Sequence, residues 1–347
     1  MRFIWHETPK KYGKRRGAPI KTPGRFILIA GALQYIRPGV FPGSPGRLHF
    51  IAGTPVPACP GNTQTKSRLS FGVARAFCYI CGNKHAETMK TKQEIVENWL
   101  PRYTQRPLEY FGQYILLTNF NNYVDIFREQ FGLEPEPDYK PNMQAVTAED
   151  ITIINFGMGS PNAAIIMDLL SAIKPKACLF LGKCGGIREK TRKGDLILPI
   201  AGIRGEGTSN DYFPPEIPAL PAFMMQRAVS SAIRDLGHDY WTGTVYTTNR
   251  RVWEHDERFK EYLRTTRAMA VDMETATLFT CGFANKIPTG ALLLVSDNPM
   301  TPEGVKTIES DNLVTANYVL THVRIGIEAL EMVKQAKKTV RHLKFDF

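Results

Sequence analysis

The chain of 347 residues has no uninterrupted apolar run of about eighteen residues, the length that crosses a bilayer as a helix. Cysteine is also scarce: there are six, and their spacing does not suggest a disulfide framework. Three of them, Cys178, Cys184 and Cys281, lie in or beside apolar stretches. These absences argue against a membrane protein and against a small secreted scaffold. We therefore expect a cytoplasmic protein with reduced, buried thiols.

The sequence also lacks a basic excess over most of its length. Residues 1–88 hold 14 of the 44 lysines and arginines but only two of the 33 acids, Glu7 and Glu87. Residues 89–347 carry the other 30 basic and 31 acidic side chains, so the net charge of +11 comes from the first quarter. The longer part has no basic stripe that could follow a phosphate backbone, and nucleic acid is not an expected partner.

Residues 1–88 contain 11 glycines and 9 prolines and show no sustained helical or strand period. Such a chain buries too little apolar surface to offset an ordering entropy of ~1–2 kcal/mol per residue. We therefore expect a basic Gly/Pro-rich extension that is disordered or not natively translated. Met89 is then the natural start of an organised domain, 89–347.

Three other interpretations of this extension stay open, and one of them is that its basic residues bind nucleic acid. Residues 25–36 form a short apolar run after a basic stretch, as in a targeting segment. Cys78, Cys81 and His85 could bind zinc, although a fourth ligand is missing because Cys59 is far away in sequence.

From residue 89 onward, short apolar runs alternate with stretches of helical periodicity. Strands are predicted at 114–118, 151–156, 177–181, 195–200 and 289–295, and helices at 92–100, 163–173, 275–281 and 312–337. Continuous apolar strands between helices indicate an α/β protein whose central sheet is covered on both faces. In such folds, ligands bind at the carboxyl ends of the strands.

Glycines follow two of these strands. Gly157 and Gly159 precede a helix, where glycine lets the backbone approach a ligand and the helix amino terminus favours an anion. A second cluster, GKCGG at 182–186, suggests a close backbone approach or a positive φ. Dinucleotide binding is the rival interpretation, but it requires an acid at the end of the next strand, where none occurs. Cys184 has no neighbouring histidine, so a buried thiol is favoured over a nucleophile.

Two acids stand at positions suited to chemistry. Glu274 lies where a helix begins, so it either complements the helix dipole or accepts hydrogen bonds from two vicinal hydroxyls. Asp297 follows the strand 289–295, so it is either a capping residue or a general acid with a raised pKa.

The ordered set of motifs resembles the purine nucleoside phosphorylase and nucleosidase family over roughly residues 110–335. The motifs are GMGSPNAA (157–164), GKCGG (182–186), GDLILP (194–199), EGTS (206–209), VDME (271–274) and VSD (295–297). TTNRRVWE (247–254) and the segment 322–329 are similar to the AMP nucleosidases within that family. The resemblance implies a three-layer α/β/α fold with a mixed central sheet that partly closes into a barrel. It also implies a homo-oligomer, often a hexamer.

The resemblance further implies hydrolysis of AMP by water to adenine and ribose 5-phosphate, without a metal or an organic cofactor. Asp297 would protonate N7 of the leaving purine, and Met273 and Glu274 would hold the ribose. The other residues that it suggests for the pocket are Gly157, Gly159, Lys183, Cys184, Gly185, Thr208, Arg250, Arg251 and Trp253. For the 5′-phosphate the candidates are Lys183, Arg204, Arg250 and Arg251, and Trp253 would either stack on adenine or lie in the core.

The sequence departs from the phosphorylases at both of their basic phosphate ligands. Phe180 stands where an arginine precedes the second glycine cluster, and residues 119–123 replace a Gly-Asp-Pro-x-Arg motif. Without a cationic clamp, water is the favoured nucleophile. The alternatives are a purine nucleoside phosphorylase, a methylthioadenosine-type nucleosidase, or a non-catalytic nucleotide-binding protein. The regulatory amino-terminal domain of longer AMP nucleosidases is not recognisable.

Overall fold

The computed structural model describes residues 28–29, 32–33 and 90–336. Two short strands, Leu28–Ile29 and Ala32–Leu33, pair in antiparallel fashion. The predictions made for the extension, including the zinc site, otherwise lie outside the described residues. The chain divides into two units, Met1–Asn83 and Lys84–Phe347, and the fold below is that of the second unit.

Within residues 90–336, helices alternate with the strands of one sheet. The strands are β1 (Tyr114–Thr118), β2 (Gln144–Ala148), β3 (Ile151–Asn155), β4 (Ala177–Gly186), β5 (Leu196–Arg204), β6 (Trp241–Thr247), β7 (Ala270–Asp272) and β8 (Thr289–Asp297). The helices are α1 (Lys92–Thr104), α2 (Asn121–Gln130), α3 (Ser160–Leu170), α4 (Phe223–Asp235), α5 (Glu257–Thr265), α6 (Thr275–Ala284) and α7 (Ile308–Gln335).

The sheet is mixed, and part of it closes on itself. Its strand order is β8-β5-β6-β7-β4-β1-β3-β2, and β8 also pairs with β4. Five strands therefore form a closed ring, β4-β8-β5-β6-β7, while β1, β3 and β2 extend from it as an open sheet. Strands β1, β3, β4 and β8 run parallel, so their carboxyl ends meet at one edge.

Helices cover both faces of the sheet because its strands are apolar on both sides. Every residue of β1 and of β8 is buried. One core contains residues of α1, α3 and α6, and the other contains residues of α2, α4 and α7. The prediction of a three-layer α/β/α fold with a mixed, partly closed sheet is confirmed.

Several predicted boundaries were wrong for an identifiable reason. β4 does not end at Leu181 but continues to Gly186, because its backbone pairs with β8 and β7 beyond that point. The glycine cluster is therefore extended strand, and Gly182, Gly185 and Gly186 are not among the glycines with positive φ. Sequence periodicity cannot reveal this pairing. The terminal helix begins at Ile308, four residues earlier than predicted, with Thr307 as its N-cap.

None of the helices within the described residues is long and apolar enough to cross a membrane. In the same residues, no group of three or more histidine, cysteine, aspartate or glutamate side chains is arranged to hold a metal ion.

Candidate active site

A cavity lies where β1, β4 and β8 end and where β7 passes into α6. It is lined by Asn119, Phe120, Met158, Lys183, Cys184, Gly185, Thr248, Arg250, Arg251, Trp253, Glu254, Val271, Asp272, Met273, Glu274, Ser296, Asp297, Pro299 and Lys306. Nine of the twelve predicted site residues are in this lining. The structure therefore brings together both candidate carboxyl groups, the second glycine cluster and the Arg250–Trp253 segment.

Asp297 is the last residue of β8, not the residue just past it, and its side chain is buried. The register between β8 and β4 shifts between Val295 and Asp297, an irregularity that re-aims a side chain at a strand end. The Ser296 hydroxyl donates a hydrogen bond of 2.6 Å to Oδ1 of Asp297. Burial raises the pKa of Asp297, while this hydrogen bond and the charges of Lys306 and Arg251 oppose the rise. The site thus holds a carboxyl group that keeps its proton at higher pH than an ordinary aspartate.

Glu274 is the N-cap residue of α6 and is almost fully buried. Its Oε1 accepts a hydrogen bond of 2.7 Å from the backbone N–H of Gly159. Gly159 has a φ of 94°, a conformation that favours glycine, so the turn before α3 presents this N–H to the carboxylate. Burial, followed by the nearby carboxylate of Asp272, raises the pKa of Glu274 to about 8.

Asp272 fixes the turn that carries Met273 and Glu274. Its Oδ1 accepts a hydrogen bond of 2.7 Å from the Thr247 hydroxyl, and its Oδ2 accepts one of 2.8 Å from the Thr275 N–H. The Ser160 hydroxyl donates to the carbonyl oxygen of Met273 at 2.6 Å. Strand β6, the start of α6 and the start of α3 are thereby tied to the same turn. Asp272 is the last residue of β7 and so lies before α6 begins.

Lys183 lines the cavity, but its ammonium group is already occupied. Nζ donates to Asp311 Oδ1 at 2.8 Å and to Thr315 Oγ1 at 2.9 Å, and it lies 4.8 Å from the ring centroid of Phe120. Two of the three ammonium donors are therefore used by these hydrogen bonds, and the Phe120 ring lies close to the charge. Cys184, next in the strand, is buried, and burial raises the pKa of its thiol well above the usual range. A thiol in that state does not act as a nucleophile.

The segment after β6 forms the exposed rim of the cavity. Arg250 pairs with Asp256 at 2.6 Å and Arg251 with Glu254 at 3.1 Å, and both arginine side chains are about half exposed. Trp253 is only 4% exposed and packs edge-on against Phe259, with ring centroids 5.3 Å apart. The tryptophan therefore belongs to a small core and also lines the cavity, while its stacking on adenine stays a prediction.

Three predicted residues and one phosphate candidate do not line the cavity. Gly157 and Gly159 lie behind it, where Gly159 supports Glu274. Thr208 belongs to a short 3-10 turn and contacts Asn249 instead. Arg204 is not among the lining residues, and it donates to loop carbonyl groups, including those of Phe213 and Ile217, so it stabilises the loop after β5.

Other lining residues were missed by the sequence analysis. Asn119 and Phe120 directly follow β1, so the rule that sites form at strand ends could have found them. Lys306 does not follow a strand directly, so this rule does not identify it. It reaches the cavity because the chain after β8 folds back, with the Asn298 N–H bonded to the Gly304 carbonyl. That turn is a property of the tertiary structure.

Sequence comparison identifies relatives of two kinds. The AMP nucleosidase of Escherichia coli (strain K12) is 30% identical over 281 residues, which are 68% of this chain and 58% of that protein. The chain therefore spans less than two thirds of the length of this relative. The uridine phosphorylase of Treponema pallidum (strain Nichols) is 25% identical over 195 residues, or 53% of this chain and 73% of that protein.

Solved structures agree with this result. The crystal structure of AMP nucleosidase from Bacteroides thetaiotaomicron VPI-5482 is 60% identical, with a TM-score of 0.63 over 71% of this chain and 99% of that chain. The purine nucleoside phosphorylase of Toxoplasma gondii in complex with immucillin-H has a TM-score of 0.59 over 67% of this chain and 98% of its own. At 19% identity, that likeness concerns the fold alone.

A family model described as the phosphorylase superfamily matches residues 122–331. The match contains every strand from β2 to β8 together with both candidate carboxyl groups. It agrees with the resemblance seen in the motifs and with the relatives above. The chain therefore belongs to the phosphorylase superfamily.

Proposed function

We propose that this chain is an AMP nucleosidase, which hydrolyses the N-glycosidic bond of AMP to adenine and ribose 5-phosphate. The observation that carries the proposal is a pair of buried carboxyl groups, Asp297 and Glu274, that face one cavity. The substrate is supported by the AMP nucleosidases of Escherichia coli and Bacteroides thetaiotaomicron among the similar proteins.

Asp297 supplies the proton that the leaving base requires. As the bond between C1′ and N9 breaks, its electron pair stays with the purine, and protonation at N7 makes the base a better leaving group. A carboxyl group whose pKa is raised by burial holds this proton closer to neutral pH. The rate should therefore fall as the pH rises through the pKa of Asp297.

Glu274 holds the sugar. A carboxylate can accept hydrogen bonds from the 2′ and 3′ hydroxyls, one to each oxygen, and such bonds favour its ionised form. Its negative charge then lies near the positive charge that develops on the ribose in an oxocarbenium-like transition state. The backbone contact from Gly159 and the turn fixed by Asp272 hold the carboxylate in position before substrate arrives.

Water is the proposed nucleophile. Phe180 is fully buried and packs against Phe156, with ring centroids 5.8 Å apart, so it offers no charge to an anion. Lys183 is the cation nearest to it in sequence, and its ammonium is committed to Asp311 and Thr315. Inorganic phosphate would need a free cationic clamp at these positions.

A substrate panel tests this reaction. AMP, adenosine and methylthioadenosine are each incubated with the purified protein, with and without inorganic phosphate, and free adenine and the sugar product are quantified. We expect adenine and ribose 5-phosphate from AMP in the absence of phosphate. Strict dependence on added phosphate would support the phosphorylase alternative and remove the hydrolase proposal.

The variant Asp297→Asn tests the role of the acid. We expect kcat for AMP to fall by about 10²–10⁴-fold, the usual contribution of a general acid, while AMP still binds in calorimetry. Asp239→Asn is the matched control, because Asp239 is exposed and its contacts are with Arg234 and the Tyr240 N–H, away from the cavity lining. Unchanged turnover in Asp297→Asn would exclude Asp297 as the acid, and binding without turnover by the wild type would favour a non-catalytic nucleotide-binding protein.

Self-association and a cytoplasmic location belong to the same proposal. The motif resemblance implies a homo-oligomer, and sedimentation of the purified protein measures it directly.

A further inference from the structure

The cationic side chains of the cavity are not spread evenly around it. Four line it: Lys183, Arg250, Arg251 and Lys306. The charges of Lys306 and Arg251 both act on the pKa of Asp297. At the other carboxyl group, the polar neighbours that act on the pKa are Asp272, Asn119 and backbone N–H groups. Positive charge is therefore concentrated at the Asp297 end.

The stereochemistry of a purine nucleotide indicates which part of the substrate these cations would face. In the anti conformation, the N7–C8 edge of the base lies on the same side as the 5′ carbon, and the 2′ and 3′ hydroxyls lie at the opposite end of the ribose. A nucleotide with N7 at Asp297 and its hydroxyls at Glu274 therefore directs its 5′-phosphate toward the Asp297 end. Lys306 and Arg251 are the cations at that end.

The two lysines of the cavity differ in their freedom to bind a ligand. Lys183 is buried, its ammonium donates to Asp311 and Thr315, and the Phe120 ring covers it. Lys306 is more exposed and lies 2.9 Å from the same oxygen, Asp311 Oδ1. If Lys306 turns to a ligand, Asp311 keeps Lys183 as its partner at 2.8 Å, so the carboxylate is not left unpaired.

We propose that Lys306 selects nucleotides over nucleosides by leaving its shared carboxylate and pairing with the 5′-phosphate, with Arg251 as the second cation. This inference rests on the proposed function. A phosphate monoester carries more negative charge than the carboxylate of Asp311, whose single charge is shared between Lys183 and Lys306. It can also accept several hydrogen bonds. Arg251 is also available, because its pair with Glu254 is half exposed and worth little.

The arrangement also couples phosphate binding to the chemistry at Asp297. The groups that act on this carboxyl are its hydrogen bond from Ser296, the cations Lys306 and Arg251, and the anion Glu254, with the neutral thiol of Cys184 close by. The two cations favour the ionised form of Asp297. When the phosphate neutralises them, the pKa of Asp297 rises and the proton needed for catalysis is retained.

The first experiment compares Lys306→Met with Lys306→Arg in the full-length protein. We expect Lys306→Met to raise KM for AMP by about ten- to a hundredfold, the effect of losing a charge-assisted hydrogen bond, and Lys306→Arg to restore most of it. Inhibition by ribose 5-phosphate should weaken by a similar factor, while inhibition by adenine stays unchanged. Lys334→Met is the matched control, since Lys334 pairs with Glu331 at the far end of α7.

A pH profile gives a readout that a purely structural role would not change. Loss of the Lys306 charge raises the pKa of Asp297 in the free enzyme, so the alkaline limb of kcat/KM should move to higher pH in Lys306→Met. An unchanged KM for AMP and unchanged inhibition by ribose 5-phosphate would overturn the inference. Absence of AMP hydrolysis by the wild type would instead remove the proposed function, so the two failures are distinct.

Discussion

The two candidate carboxyl groups have different surroundings although they share one cavity. Asp297 is near two cations and a hydroxyl donor, whereas Glu274 is near a second carboxylate and a backbone N–H. Pairs of titratable groups in such contrasting environments often divide the tasks of an active site. In the proposed mechanism, the division is between a proton donor for the base and a carboxylate for the sugar.

Replacing Glu274 by glutamine should stabilise the fold at alkaline pH. Its pKa is raised to about 8 in the folded protein from a usual value of 4.5, so between these values the unfolded chain loses a proton that the folded chain keeps. Each rise in pH over this window lowers the free energy of unfolding of the wild type, and glutamine has no proton to lose. We expect Glu274→Gln to melt above the wild type at about pH 9, with a difference that shrinks toward about pH 5.

Thermal unfolding across this pH range measures the effect. Glu328→Gln is the control, because Glu328 is exposed on α7 and its replacement should leave the melting temperature unchanged at every pH. A Glu274→Gln variant that melts below the wild type at alkaline pH would show that the buried carboxylate stabilises the fold. That result would contradict the prediction.

Residue identity and position in a motif were enough to single out Asp297 and Glu274, which both line the cavity, while their catalytic roles stay predictions. They were not enough for Lys306, which stands in no motif, or for the occupation of Lys183 by Asp311 and Thr315. These contacts join residues more than 120 positions apart, so they depend on how α7 packs against β4.

At the scale of elements, the site depends on how closely α6 approaches the sheet. Gly202 in β5 lies against the start of α6, where an added Cβ would come within 2.7 Å of the Cα of Ala276. The obstructing atom is backbone, so it cannot move without the helix. Because Glu274 is the N-cap residue of this helix, its position is linked to the strand.

Gly202→Ala should therefore reduce both stability and activity. Overpacking of this kind costs about 1–3 kcal/mol, and a displaced α6 should lower kcat/KM for AMP. Gly237→Ala is the control: Gly237 has a φ of 78° and no atom within 4 Å of an added Cβ, so alanine there is strained without being crowded. Its stability should fall by about 1–2 kcal/mol with kcat/KM unchanged.

Denaturant unfolding and steady-state kinetics on both variants provide the comparison. Equal losses of stability with a loss of activity only in Gly202→Ala would support the link between β5 and Glu274. Full activity in a destabilised Gly202→Ala variant would contradict it.

For the molecule as a whole, alternation of apolar strands and helices was sufficient to predict the layers of the fold. Closure of the ring was implied only by the family resemblance, because the pairing of β8 with both β4 and β5 joins strands distant in sequence. The same pairing lengthened β4 beyond its predicted end. Apolar runs show that a strand is buried, but they do not show which strands lie beside it.

Met89 is the expected boundary between the amino-terminal extension and the catalytic domain. Among the residues that the structure describes, those that line the cavity lie between Asn119 and Lys306, and the family match covers 122–331. The AMP nucleosidase of Bacteroides thetaiotaomicron is matched over 99% of its length by only 71% of this chain. We therefore expect a chain that begins at Met89 to hydrolyse AMP with the kcat/KM of the full-length protein.

Kinetics and thermal unfolding of the two chains, purified in parallel, test this boundary. Asp297→Asn in the shortened chain is the control that ties any activity to the same cavity. A shortened chain that folds, binds AMP and yet turns it over about tenfold more slowly would mean that residues 1–88 take part in catalysis, since that ratio corresponds to about 1.4 kcal/mol of transition-state stabilisation. Equal rates would assign the whole catalytic apparatus to 89–347, as the positions of the lining residues predict.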